Sequence, residues 1–189
     1  MYAPLESMFE TSGFDEQARS RFSMDVFFER EGCGSALWHL YRHWKALPKK
    51  QHGLPAASMC NPKPALPRDV AKWIAWIDTT KDDPTQFIIW EHPESHIPGM
   101  GVELSGKLLN DIPVAQLHIS ACAIEYLYCK HERIPMYHEI DQILCGYRRQ
   151  YTRLLVPLAD ENGNVSRIFY AIRMLSELGR VNRLAGGVI

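Results

Sequence analysis

The chain has 189 residues, of which 46% are hydrophobic and 23% are charged, a composition typical of a globular protein and unlike that of a disordered one. Its formal net charge of -1 excludes a strong overall basic field, so nucleic acid or an anionic membrane would have to bind at a local patch. The five cysteines are scattered and form no Cys-x-x-Cys pair, which favours reduced thiols over a disulfide framework.

Targeting signals are the next feature that composition addresses. No apolar run reaches the roughly 18 residues of a membrane span, and residues 1 to 16 lack a basic start followed by an apolar segment. We therefore expect neither a transmembrane helix nor a secretory signal, and we expect a cytoplasmic location.

The N-terminal segment has two parts. Residues 1 to 23 mix proline, serine, glycine and charge without a sustained period, which predicts a mobile arm. The apolar run from Met24 to Phe28 predicts a turn or two of helix before Gly32, able to pack on the domain or on a second copy. Residues 1–34 are thus interpreted as a partly flexible N-terminal arm.

A first helix is predicted from Ser35, a suitable N-cap, to about Ala46. Apolar and aromatic residues recur on one side of it at helical spacing: Leu37, Leu40, Tyr41 and Trp44. Pro48 ends this helix, and four prolines between residues 55 and 67 predict an irregular strap.

The middle of the chain predicts two strands and one long helix. Residues 73–78 and 86–91 are apolar runs separated by a charged turn, although the first run also fits the end of a helix begun at Asp69; a strand from about Ile74 is favoured. Residues 96–110 are glycine-rich and loop-like. A longer helix follows Asp111 and runs to about Lys130. The stripe expected to face its core consists of Leu117, Ala121, Ile124 and Tyr128.

The C-terminal part predicts three strands. Residues 136–144 alternate weakly, which favours a third strand. Residues 150–174 alternate on both sides of a polar turn that contains Asn162 and Gly163, the signature of a β-hairpin. Two strands, a helical middle and a three-stranded meander together indicate an α+β fold with an antiparallel sheet.

Several motifs in this order resemble the small stand-alone PAS-like domains of alphaproteobacteria, a family that includes motility regulators. The matching pieces are Leu37-Trp38 with residues 41 to 44, Leu66-Pro67 before the first strand, residues 101 to 111 (Gly-Val-Glu-Leu-Ser-Gly-Lys-Leu-Leu-Asn-Asp) and residues 151 to 163 (Tyr-Thr-Arg-Leu-Leu-Val-Pro-Leu-Ala-Asp-Glu-Asn-Gly). Residues 88 to 95 depart from the family pattern at the end of the second strand.

The resemblance implies a PAS-like five-stranded antiparallel sheet with helices on one face and an N-terminal helical extension. It places the domain at residues 35–177 and a C-terminal tail at 178–189. It also implies a non-enzymatic sensory or regulatory module that acts through protein-protein interaction in bacterial signal transduction, as a homodimer. A small-molecule or haem-binding receptor domain is the alternative, and no cofactor is named.

The long helix carries the strongest metal-like pattern. His118, Cys122, Glu125 and Cys129 recur at intervals of four, three and four and share one side of a regular helix. The neighbouring apolar stripe already indicates the core side, so we expect no metal and keep these residues as weak candidates. The resemblance also implies that a histidine on this helix can ligate haem, and His118 is the one near its middle, without a surrounding haem motif.

Aromatic residues suggest a pocket. The tryptophans concentrate in the first half of the chain, and the tentative pocket residues are Trp44, Trp73, Trp76, Trp90, His118 and Tyr151. The competing interpretation is that these side chains only fill the core.

The terminal hairpin is locally basic. Its arginines are Arg148, Arg149, Arg153, Arg167 and Arg173. Contacts with an anionic ligand or nucleic acid are one interpretation, and a solvated outer sheet face is the favoured one, so no nucleic-acid partner is expected. No phosphate loop, nucleophile elbow or placed Cys-His pair is present, which argues against an enzyme.

Overall fold

A computed structural model describes residues 16–49, 52–61, 63–92, 103–112, 116–144 and 147–180. Its centre is one antiparallel sheet of seven strands in the order β1-β5-β6-β7-β2-β3-β4. The strands are β1 (Glu16–Phe22), β2 (Ile74–Asp78), β3 (Ile88–Glu91), β4 (Lys107–Leu108), β5 (Met136–Leu144), β6 (Tyr147–Ala159) and β7 (Val165–Arg180).

Four α-helices accompany the sheet in the described ranges: α1 (Met24–Arg30), α2 (Ala36–Ala46), α3 (Arg68–Ala71) and α4 (Gln116–Glu132). Single turns of 3-10 helix lie at Ala57–Met59, Lys63–Ala65, Pro84–Gln86 and Leu109–Asp111. Serine hydroxyls cap the first two α-helices, since Ser23 accepts from the Val26 amide and Ser35 from the Trp38 amide.

Helices cover both faces of the sheet. Tyr137 and His138 are neighbours on β5, so their side chains point to opposite faces. The Tyr137 ring lies 5.5 Å from that of Phe27 on α1, whereas His138 lies against Glu125 on α4. The expectation of helices on one face is therefore wrong: α1 and α2 lie on one side and α4 on the other. Residues 151–159 of β6 are buried throughout because both faces are covered.

The sheet has seven strands where five were expected. The two additional strands are β4, in a segment interpreted as loop, and β1, in a segment interpreted as a mobile arm. Glu16–Phe22 pairs along its whole length with β5, and Phe27 just beyond it is fully buried. β1 carries mostly polar side chains, which suits an edge strand, because only one of its sides pairs with a neighbouring strand.

Several predicted elements are confirmed. The helix capped by Ser35 ends at Ala46, the strand at Ile74 pairs with β7, and residues 136 to 144 form β5. β6 and β7 form the predicted hairpin, in whose turn Gly163 has a φ of 86°. An L side chain rarely adopts this conformation, which explains the glycine.

The inward face of α4 differs from the predicted stripe. Ile124 is 54% exposed, and Tyr128 is only partly buried. Ala121 of the predicted stripe is buried, but the helix also buries Cys122, Tyr126 and Cys129, which the stripe did not include. The side chains of Leu117 and His118 lie outside the described part. The stripe was misplaced because Glu125, a polar residue, belongs to the buried face, where arginines from the sheet pair with it.

None of the described helices combines the length and the apolar composition that a membrane span requires.

Candidate functional site

A buried cluster of charged side chains lies between α4 and the sheet. Arg19 comes from β1, Arg153 from β6 and His138 from β5, while Cys122 and Glu125 come from α4. Strand register brings the first three together, because Arg153 lies directly opposite His138 and Arg19 opposite Ile140. The interval of three residues on α4 puts Cys122 and Glu125 one turn apart on its inward face.

The two arginines contact the same two side chains. The Glu125 carboxylate accepts from Arg19 Nη1 at 2.6 Å and also from Arg153 Nη2. Cys122 Sγ accepts from Arg153 Nη1 at 3.3 Å and from Arg19 Nη2 at 3.5 Å. Both guanidinium groups thus bridge a carboxylate and a sulfur atom, and together they connect β1, α4 and β6.

The cluster is largely shielded from water. The Arg153 side chain is 2% exposed, and those of Arg19 and Glu125 are 12% and 14% exposed. Burial lowers the pKa of Arg153, but a guanidinium remains protonated at neutral pH. An isolated buried cation would be strongly unfavourable, so the shared carboxylate is what stabilises this arrangement.

His138 completes the cluster as a neutral group. Burial, with the charges of Arg19 and Arg21, lowers the pKa of His138 to about 3. Its Nε2 lies 4.0 Å from a Glu125 oxygen, too far for a hydrogen bond. In the described part of the chain, His138 Nδ1 and Arg153 Nε are buried nitrogens with no hydrogen-bond partner.

Tyrosines surround the charged groups. The Tyr126 ring lies 6.3 Å from that of Tyr170 and 5.4 Å from the Arg153 guanidinium carbon. Burial raises the pKa of Tyr126, Tyr151 and Tyr170, so all three are neutral phenols at physiological pH.

A second buried carboxylate, Glu31, lies on the opposite face of the sheet. It accepts from Tyr137 Oη at 3.0 Å, Thr152 Oγ1 at 2.7 Å and Arg173 Nε at 2.7 Å. Both oxygens of this carboxylate accept hydrogen bonds, three at Oε1 and one at Oε2, so we assign it to holding the α1–α2 junction on the sheet.

The predicted pocket residues separate in the structure. Trp44 donates from Nε1 to the Pro157 carbonyl oxygen at 2.8 Å, beneath α2. Trp76 and Trp90 pair with ring centroids 5.1 Å apart, on strands β2 and β3. Trp73 precedes β2 and carries the Lys72 ammonium 5.7 Å from its ring.

Tyr151 is the predicted pocket residue that joins the buried cluster, while the side chain of His118 lies outside the described part. Of the weak metal candidates, Cys122 and Glu125 come together but meet arginines, which repel cations. Cys129 donates to the Ile134 carbonyl oxygen at 3.5 Å. In the described residues no three potential ligands gather around one point.

The hairpin arginines do not form a solvated outer face. Arg153 is fully buried, Arg173 bonds Glu31, and the Arg167 guanidinium lies 4.3 Å above the Trp76 ring. The favoured interpretation was therefore wrong for Arg153, because helices cover both faces of the sheet there, whereas Arg148 is exposed and pairs with Asp141. Tyr151, Arg153 and Leu155 lie two residues apart along β6, so their side chains share one face of the strand. These apolar neighbours on the same face were the one sequence signal that Arg153 is buried.

Comparison of the chain with models of protein families, with curated proteins and with solved structures gives no match.

Proposed function

We propose that the chain is a PAS-like sensory and regulatory module of the bacterial cytoplasm, which acts through a protein partner and without catalysis. The observation that supports this proposal is the order of its elements. The hairpin β2–β3 comes first, a helical region ending in α4 follows, and the meander β5–β7 closes the sheet by pairing β7 with β2. Two further strands extend this five-stranded centre at its edges.

The buried cluster provides a route for a signal. Arg19 ties β1 to α4, while Arg153 ties α4 to the centre of the sheet. A change at Glu125 or Cys122 alters the free energy with which the N-terminal strand is held. A module of this kind works by shifting the population between a held and a released N-terminal segment, which a partner distinguishes.

A homodimer through the N-terminal helices is part of the proposal. Phe28 is 42% exposed and stands at the edge of an aromatic group, with ring centroids 5.3 Å from Tyr41 and 5.8 Å from Trp38. Exposed aromatic groups of this kind are common at interfaces.

Light scattering coupled to size-exclusion chromatography tests the dimer. We expect a dimer for the wild type, a monomer for Phe28→Asp and a dimer for Ile134→Asp, a matched control at an exposed apolar position between α4 and β5. A monomer at all wild-type concentrations contradicts the dimer.

Proximity labelling in the source bacterium tests the regulatory function. A tagged wild-type chain should label a protein that carries a signalling output, such as a kinase, and Phe28→Asp or Arg19→Gln should change the extent of labelling. Labelling that is identical in the wild type and both variants contradicts a regulatory module, and so does turnover of a substrate by the purified chain.

A small-molecule receptor is the second candidate function. Two of the described buried nitrogens without partners, Arg153 Nε and His138 Nδ1, belong to the buried cluster and favour it, because an oxygen acceptor bound at either would satisfy a donor, at His138 when the Nδ1 tautomer carries the proton. The ligand class is a small carboxylate or another oxyanion.

Thermal unfolding with acetate, succinate, citrate or phosphate tests the receptor. We expect one of these to raise the wild-type Tm and to have a smaller effect on His138→Asn. No shift with any of the four contradicts an oxyanion receptor. A Soret band in protein purified without added ligand would instead indicate the haem-binding alternative.

A further inference from the structure

The described cysteines occupy different environments. Cys33 is exposed, whereas Cys60, Cys122 and Cys129 are buried. Burial raises the pKa of Cys60 to about 12, with Arg167 opposing the rise, and burial alone raises the pKa of Cys129 further. Both groups are therefore neutral thiols with little nucleophilic character.

Cys122 differs because two cations touch its sulfur atom. Arg153 Nη1 lies 3.3 Å and Arg19 Nη2 lies 3.5 Å from Sγ, both as hydrogen-bond donors. Donors with a full positive charge stabilise a thiolate over a thiol, in the way that adjacent arginine, lysine or histidine activates reactive cysteines. Cys122 is 4% exposed, so water competes weakly with these contacts, and the two guanidinium groups act against the burial that by itself disfavours a thiolate.

Several titratable groups near Cys122 are uncharged at neutral pH. His138 on β5 is neutral, and so are the phenols of Tyr126 on α4, Tyr151 on β6 and Tyr170 on β7. Glu125 is the carboxylate that shares both arginines. Arg19, Arg153 and Glu125 together carry one net positive charge. A thiolate at Cys122 neutralises that charge.

We propose that Cys122 is a thiolate at neutral pH and a site of oxidation by hydrogen peroxide. The sulfur attacks one peroxide oxygen, an S–O bond forms as the O–O bond breaks, and hydroxide leaves with the electron pair of that bond into the solvent, where an acid protonates it to water. Sulfur loses two electrons to the peroxide, and the product is a sulfenic acid. The proposal goes beyond the regulatory function, since this chemistry needs no partner and no ligand.

Oxidation changes the cluster that holds β1. A sulfenic acid is uncharged when protonated and has an additional oxygen, so it contacts Arg19 and Arg153 less favourably than a thiolate does. Glu125 then holds Arg19 without help from the sulfur. The amides of Glu16–Phe22 should therefore exchange faster with solvent deuterium in the oxidised chain than in the reduced chain.

Alkylation of the wild-type full chain by iodoacetamide, resolved by site with mass spectrometry over a range of pH, tests the thiolate without any substitution. We expect the rate at Cys122 to rise with a midpoint at least about one pH unit below that of exposed Cys33. Limited access lowers the rate at every pH but leaves the midpoint unchanged. A midpoint for Cys122 at or above that of Cys33 overturns the proposal.

Variants test the cause and the product. Arg19→Gln, at the sheet edge, should raise the Cys122 midpoint, and Cys129→Ser should leave it unchanged. After treatment with hydrogen peroxide, dimedone should label Cys122 in preference to Cys60 and Cys129, and this label should fall several-fold in Arg19→Gln. Equal labelling of the three buried cysteines, or an unchanged midpoint in a folded Arg19→Gln protein, overturns the assignment.

Discussion

Two buried carboxylates hold the N-terminal segment on the sheet, one on each face. Glu125 binds Arg19 of β1, and Glu31, which follows α1, binds Arg173 of β7. The Glu31 side chain is inaccessible to solvent, so its three donors replace water completely. Removing one partner from such a pair leaves a buried group unpaired, which makes these residues sensitive to substitution.

Glu31→Gln should lower the free energy of unfolding at about pH 7 by about 3 kcal/mol, because the amide cannot pair with Arg173. Burial alone raises the pKa of Glu31, but the bonds from Arg173, Thr152 and Tyr137 outweigh it and lower the pKa below its ordinary 4.5. This stabilisation is thus present above pH 4.5 and is lost as the pH falls through the lower folded-state value.

Urea unfolding at several pH values checks both parts of this expectation. The wild type should lose more stability than Glu31→Gln as the pH falls below 4.5. The matched control is Glu139→Gln, which breaks the more exposed pair with Arg30 and should lower stability far less than Glu31→Gln does. Equal effects of the two substitutions would show that Glu31 is no anchor.

Gly163→Ala should destabilise the β6–β7 turn through both backbone strain and a steric clash. The φ of Gly163 is 86°, and a Cβ atom there would overlap the His52 ring. Gly53→Ala and Gly106→Ala are controls, since both have positive φ but open space around the added atom. We expect each control to lower the free energy of unfolding by about 1 kcal/mol and Gly163→Ala to lower it by more. Urea unfolding measures these losses, and equal losses in all three variants would exclude the clash.

At the scale of elements, α4 shows where an apolar pattern fails. Its surface has apolar residues on several sides, so the pattern did not identify the inward face, and the predicted core stripe left out Glu125. Ile124→Lys should change stability by less than about 0.5 kcal/mol, while Tyr126→Ala should lower it by about 3 kcal/mol. Chemical unfolding of the two variants checks this, and the reverse order would restore the predicted stripe.

Local signals explain which elements were predictable. The Ser35 cap and Pro48 fixed the ends of α2, and the polar turn before Val165 fixed the hairpin. β1 was missed because its pairing with β5 depends on residues far away in the chain, and an edge strand needs no apolar period of its own.

The buried cluster was missed for a related reason. Arg19 was expected in a mobile arm and Arg153 on a solvated sheet face, and only strand register shows that they meet at Glu125. The metal-like spacing on α4 did identify Cys122 and Glu125, but the sheet supplies them with cations instead of further ligands. The predicted pocket tryptophans separated because no local pattern determines which face of a sheet a side chain covers.

Across the whole molecule, stability should be highest at the centre of the sheet. Leu154 on β6 pairs with both Tyr137 and Ala171, and both faces are covered, whereas β1 has one neighbour. Native-state hydrogen exchange should find the slowest amides at residues 154–156 and 168–172 and faster exchange in Glu16–Phe22. Exchange in β1 as slow as that in β6 would contradict this gradient.

The pairing of β1 with β5 also sets an order for folding. In the finished sheet Arg19 lies opposite Ile140, so β1 leaves the ribosome long before its partner strand β5 has been synthesised. Contacts between such distant residues slow folding, because a long loop must close before they form. The arginines of this strand, Arg19 and Arg21, keep it from associating with other chains during that delay.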